Sequence, residues 1–133
     1  MASELRVNTI KDASGNNSVA TSVLFGGSAK AWINMNGTGT IAIRDSYNIA
    51  SITDNGTGDH TQTFTSAITN NDYAPAAATQ DDESDTSNFT TSYPAIYRST
   101  TGLATSAMRL GTGSGSTRYD ITGIFASVHG DLA

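Results

Sequence analysis

The stretch Asn48-Ile49-Ala50-Ser51-Ile52-Thr53-Asp54-Asn55-Gly56-Thr57-Gly58-Asp59-His60-Thr61-Gln62-Thr63-Phe64-Thr65-Ser66-Ala67-Ile68 decides the fold class. Both flanks alternate and are rich in Thr, Ile and Phe, the composition and period of half-buried strands. Ala50, Ile52, Phe64 and Ile68 can share one face of a sheet, with Thr61, Thr63 and Thr65 on the other. Asn55-Gly56 between the flanks tolerates the positive φ angles of a tight turn. The stretch is read as a β-hairpin.

Working outward, the same signals repeat. Leu5 to Ile10 reads as a strand, followed by turn chemistry from Lys11 to Ser18. Val19 to Phe25 is an apolar run stopped by Gly26-Gly27. Lys30 to Asn36 alternates Ala31, Ile33 and Met35 against Lys30, Trp32 and Asn34. Thr40 to Arg44 carries Ile41 and Ile43. Asp72 to Thr79 passes through Pro75, which confines it to a sheet edge or a strand end. Further strands are expected over Phe89 to Arg98 and Leu103 to Leu110, with Gly111 to Ser116 as a flexible tip. Tyr119 to His129 is apolar on both faces, as a central or intersubunit strand would be. No segment has a helical period. The expected fold is all-β: an antiparallel β-sandwich or jelly-roll-like domain with an extended N-terminal segment. Residues 1–18 are assigned to an attachment strand or arm and 19–133 to a single β domain.

Composition narrows the function. Leu, Ile, Val and Phe number 23 of 133 residues, about 17%, which is sparse for a self-sufficient core. The alternation argues against disorder, so the missing burial is expected from identical neighbours or from a coated surface. Net charge is −5 with only 7 Lys and Arg, too few for a phosphate-binding stripe, and nucleic acid is not an expected partner. The absence of cysteine removes disulfides and thiolate metal sites. The segment from Met1 to Lys30 has no continuous apolar core of a signal peptide, and no run reaches the length of a membrane span.

No catalytic constellation emerges. His60 and His129 lack ligand spacing, no Gly-x-Ser-x-Gly elbow occurs, and Asp54 and Asp59 flank one turn, where exposure favours an ionised structural role over glycan hydrolysis. Asp81, Asp82, Glu83 and Asp85 supply carboxylates without the glycine turn of a Ca²⁺ loop, and read as a solvated segment. Trp32 could stack on the apolar face of a sugar, although a lone Trp in a β domain more often anchors a core or an interface. The expectation is a non-enzymatic protein with no cofactor and no metal.

The run from Ala31-Trp32-Ile33-Asn34 through Asn36-Gly37-Thr38-Gly39-Thr40-Ile41 to Asp54-Asn55-Gly56-Thr57-Gly58-Asp59 and Asn71-Asp72-Tyr73-Ala74 resembles a domain recurrent in virion proteins of tailed phages, of marine and cyanobacterial phages especially. Leu5-Arg6-Val7-Asn8-Thr9-Ile10 resembles the start of such proteins, and Thr122 to Val128 their last strand. The resemblance is good over residues 1–75 and absent around 81–88. It implies a virion structural role and transfers no catalytic residue. The expected function is a trimeric capsid decoration protein (cement or head-fibre type) that binds and stabilises the shell. Its partners would be itself and the major capsid protein or tail proteins, with assembly in the bacterial cytoplasm. Leu5, Val7 and Ile10 are the candidate contacts with the shell or a neighbouring subunit. The alternative is a tail-fibre or tail-tip module binding a host surface glycan. There Trp32, Tyr73, Tyr93 and Tyr97 would join the segments Asp54–Asp59, Asp81–Asn88 and Gly111–Thr117 in a shallow site.

Overall fold

The structure, a computed structural model, describes residues 6–80, 93–96, 103–114 and 116–133. An N-terminal unit holds β1 (Thr9–Lys11), β2 (Ser18–Ala20) and the helix α1 (Thr21–Gly27). Then follow β3 (Ala31–Asn36), β4 (Ala42–Tyr47), β5 (Ile49–Gly56), β6 (Asp59–Phe64), β7 (Ala74–Gln80) and β8 (Tyr93–Ile96). The chain ends with β9 (Leu103–Ala104), β10 (Ala107–Ser114), β11 (Thr117–Arg118) and β12 (Gly123–His129).

The strands from β3 onward form two antiparallel sheets. One has the order β4-β3-β12-β7; the other runs β11-β10-β6-β5, with β8 and β9 also paired to β10. Their inner faces meet in one apolar core. Ile33, Met35, Ile124, Ala126 and Val128 come from the first sheet, Phe64, Met108 and Leu110 from the second. The fold is an all-β sandwich. β3 buries Ala31, Ile33 and Met35 and turns Trp32 outward, as its alternation dictates. β12 lies between β3 and β7, so its two apolar faces have separate uses: Ile124, Ala126 and Val128 point into the core and Phe125 points out. β7 carries Pro75 and borders the first sheet.

The hairpin of β5 and β6 pairs Ile52 with Gln62 and Thr53 with Thr61. Its turn is Thr57-Gly58, with Gly58 at φ +60°, rather than Asn55-Gly56. Asn55 instead donates its side chain to Thr61 Oγ1 at 2.9 Å, and Gly56 falls at a register shift. A second register shift between Ile49 and Ser51 throws Ala50 out to solvent, so Ile49 and Ile52, not Ala50, back the core.

Three further expectations are corrected. The chain is not free of helix: within the apolar run Val19 to Phe25, β2 ends at Ala20 and a seven-residue helix follows. Gly111-Thr112-Gly113 is no flexible tip but the end of β10, where Thr112 is buried and its Oγ1 donates to Tyr119 O at 2.6 Å. Leu103 to Leu110 divides at Thr105-Ser106 into β9 and the start of β10. The acidic segment 81–88 lies outside the described residues.

Asn48 makes the corner that carries the chain from the first sheet to the second. It adopts φ +57°, which Asn tolerates better than other non-glycine residues. Its Nδ2 donates to Lys30 O and Ser66 O at 3.0 Å each, and its Oδ1 accepts from Ser66 N at 2.7 Å. Asn48→Ala removes all three bonds and leaves an alanine in the left-handed region. A loss of about 2–3 kcal/mol is expected, read as a lower midpoint in urea with an unchanged slope.

Candidate interaction surface

The outer face of the first sheet is assembled by register. Trp32 lies opposite Tyr47 on one side and Ser127 on the other, and Ser127 opposite Ala76. One step along, the same rule places Asp45, Asn34, Phe125 and Ala78 in a second row. Across the order β3-β12-β7 the two rows step from Trp32 and Asn34, through Ser127 and Phe125, to the small methyls of Ala76 and Ala78 at the sheet edge. The result is a shallow, largely apolar groove of about 390 Å³ lined by Trp32, Asn34, Ala76, Ala78, Phe125 and Ser127. Trp32 is 38% exposed, and Tyr47 beside it is exposed as well. Arg44 holds the polar rim, its Nη1 donating to Asn34 Oδ1 at 3.4 Å and to Met35 O at 3.2 Å. Such a groove accepts an apolar side chain or the flat face of a sugar.

The second surface is the N-terminal unit. β1 and β2 pair Thr9 with Ala20, Ile10 with Val19 and Lys11 with Ser18. Asp12 organises the intervening loop, its carboxylate accepting from Ser14 Oγ, Asn16 N and Asn17 Nδ2 at 2.7–3.0 Å. Those bonds, the Ser14 one foremost, hold its carboxyl below the ordinary range. Thr21 N bonds Asn8 O at 3.0 Å and launches α1 without a side-chain cap. No residue of α1 is buried; Val23 is 65% and Phe25 66% exposed. Val7, Ile10 and Leu24 are exposed too. Among the described residues, the unit thus displays Val7, Ile10, Val23, Leu24 and Phe25 to solvent within the short segment from Arg6 to Ser28. Scattered exposed apolar residues need no explanation, but five in so short a segment make it a candidate contact surface.

Asp59, buried at the head of β6, is bound into structural contacts. Its carboxylate accepts from Arg109 Nε at 2.7 Å and Nη2 at 2.6 Å, and from Arg118 Nη1. One carboxylate thereby joins β6, β10 and β11. The bidentate Arg109 contact, followed by Arg118, lowers its pKa to about 2 against the opposing cost of burial. Asp59 is therefore not the exposed turn carboxylate expected from the sequence. The adjacent turn is pinned too, Gly58 N donating to Asp120 Oδ1 at 2.7 Å. His60 and Gln62, both fully buried, line the inner face of β6, and Gln62 Nε2 contacts Met35 Sδ at 3.6 Å. Among the described residues no cluster of His, Asp and Glu is arranged to hold a metal, and no helix is long and apolar enough to cross a membrane.

Of the residues singled out from the sequence, Val7 and Ile10 lie on the exposed apolar unit and Trp32 lines the groove. Tyr73 is corrected. It is 5% exposed, packed edge-on to Phe64 with ring centroids 6.0 Å apart, and its hydroxyl lies 3.2 Å from Ala107 O and 3.3 Å from Ala104 O. Burial raises its pKa to about 12, and its ring has no free face for a ligand. Tyr93 begins β8, and Leu5 and Tyr97 lie outside the described residues. Comparison with protein-family models, curated proteins and solved structures returned no match. The surfaces themselves therefore carry the functional reading. Phe25, Phe125 and Tyr47 were not singled out from the sequence. Phe125 had a signal in the two-sided apolar pattern of its strand, and Phe25 in an apolar run that was too short to show a helical period.

Proposed function

We propose that the chain is a non-enzymatic virion structural protein of a tailed phage, a self-associating capsid decoration protein that binds and stabilises the shell as a trimer. One observation carries the reading: an N-terminal unit whose large apolar side chains, Val23 and Phe25 foremost, stay exposed to solvent. A β domain with a sparse core and an uncovered apolar arm gains burial when it assembles, and many copies on a repeating shell stabilise it by mass action. The resemblance of residues 1–75 to phage virion proteins supplies the assembly: the major capsid protein or tail proteins, and sister copies, in a particle built in the bacterial cytoplasm.

A second reading, a tail-fibre module for a host glycan, is supported by the half-exposed Trp32 and the groove beside it. It loses other parts of its proposed site, because Tyr73 is buried and Gly111 to Gly113 belong to a strand.

The decoration reading is tested on the arm. Val7→Asp combined with Ile10→Asp is expected to leave the thermal melt unchanged, since both positions are exposed. Binding to particles prepared without the protein, followed by co-sedimentation, should fall about tenfold or more. Undiminished binding would contradict the assignment of these residues as particle contacts.

A further inference from the structure

We infer that the arm of one copy docks in the sheet groove of a second copy, with Phe25 seated on the alanine strip of β7 beside Phe125. The inference rests on the self-association in the reading above, and is independent of where in a virion the protein resides.

Both halves of the contact are present in one chain, and neither is covered by the described residues. Phe25, Leu24 and Val23 project from α1 into solvent, and the groove lies open on the outer face of the first sheet. The helix itself points to a partner. Seven residues with no side-chain cap and Gly26-Gly27 at the end are marginal in water, and docking of the apolar face is the usual source of stability for so short a helix.

The arm is not placed to fill its own groove. Only Ser28 and Ala29 separate α1 from Lys30, and Ser28 is extended at φ −79° and ψ 145°. Lys30 fixes this root. Its backbone N donates to Val128 O at 2.7 Å, and its Nζ donates to Phe25 O and to Ser28 Oγ. Folding α1 back across Trp32 would reverse a two-residue connection and break the bonds that hold Phe25 at the root.

Charge selects a sister copy as the occupant. The segment from Met1 to Lys30 carries Arg6, Lys11 and Lys30 against Glu4 and Asp12, a net of +1. Residues 31–133 carry four Arg against ten acidic residues, a net of −6. An arm meeting another copy's sandwich therefore pairs opposite signs, whereas arm on arm or sandwich on sandwich pairs like signs. An anionic membrane or nucleic acid that attracted the arm would be repelled by the sandwich beside it.

The geometry also sets the type of assembly. The root of the arm is two residues from Trp32, so donated arm and accepting groove lie near one end of β3. Arm into groove is a heterologous contact, and it closes when each copy both gives and receives.

Because the chain has no cysteine, the contact can be trapped directly. Phe25→Cys and Ala78→Cys are made singly, mixed and mildly oxidised. The expected product is a disulfide-linked heterodimer above the level of either homodimer. The double variant should give closed covalent oligomers that reductant dissolves. Free thiols in the mixture, or an intramolecular disulfide in the double variant, would overturn the inference.

Sedimentation supplies the second arm of the test. Phe25→Asp and Ala78→Arg, both at exposed positions, should each weaken self-association about tenfold or more without changing the thermal melt. An equimolar mixture should recover part of the association, because it retains one intact arm and one intact groove. Wild-type oligomers unchanged by either substitution would overturn this docking mode and leave self-association standing. A wild-type monomer at micromolar concentration would overturn both.

Discussion

Gly37→Val is expected to cost more than about 3 kcal/mol and to lower the thermal midpoint by about 10 °C or more. Gly37 follows β3 and is packed against Ile121 and Ile124 on one side and His60 of β6 on the other. Its N donates to Ile121 O at 3.0 Å. A Cβ there would fall 2.6 Å from Ile124 Cδ1, 2.8 Å from Ile121 O and 3.2 Å from His60 Nε2. Ile124 could change rotamer only by disturbing a fully buried contact, and Ile121 O is backbone. The imidazole is enclosed as well, since His60 has no exposed surface. Valine adds two further methyl groups to this clash. Relief therefore requires the sheets to move apart, which forfeits dispersion contacts across the core. Thermal unfolding followed by circular dichroism measures the effect. A midpoint within a few degrees of wild type would mean that the turn after β3 can give way without disturbing the core.

Asp59→Asn is the second large effect, and it has a pH signature. The substitution keeps the volume of the side chain and removes the charge that Arg109 and Arg118 share. A fully buried pair broken in this way costs about 3–5 kcal/mol. Here the arginine side chains are 34% and 47% exposed and regain water, so about 2 kcal/mol is expected. Asp59 has its pKa lowered from 3.8 to about 2 in the folded chain. Between those values the unfolded chain binds the proton more readily, so acid favours unfolding. The contribution of the carboxylate is complete above the unfolded value, declines as pH falls toward about 2, and is absent below it. Denaturant midpoints of wild type and variant should therefore differ most above pH 4 and converge toward pH 2. A constant gap across that range would assign the loss to packing or hydrogen-bond geometry instead of charge.

The parts of this fold that were legible in the sequence are those governed by the two-residue period. The hairpin of β5 and β6, the buried face of β3, the edge position of Pro75 and the two-sided β12 all follow from alternation and from the missing donor of proline. What escaped lies where local pattern and tertiary demand part. A single inserted residue at Ala50 moved that side chain from core to solvent. Two glycines lay within reach of one turn, and tertiary bonding to Gly58, from Asp120 and Thr112, goes with a turn at Thr57-Gly58. His60 and Gln62 follow the same inward period as Phe64, but their polarity concealed it. α1 is too short to display a helical period, and Gly26-Gly27 argues against a helix on propensity alone.

The candidate surface was legible in fragments. Trp32 stood out as the single tryptophan, yet the groove it walls takes its middle from β12 and its far side from β7, segments distant in the chain whose registers no local pattern supplies. Tyr73 misled because an aromatic beside turn residues reads as exposed, whereas the end of β9 and the start of β10 supply carbonyls that its buried hydroxyl can reach.

The measurement that bears most directly on the proposed role is the number of copies of this chain in purified particles of the phage proposed to carry it, counted by quantitative mass spectrometry with heads and tails separated. A decoration protein is expected at hundreds of copies on heads, in a fixed ratio to the major capsid protein. A handful of copies confined to tails would contradict decoration and favour the glycan-binding fibre, and absence from both fractions would contradict a virion role altogether.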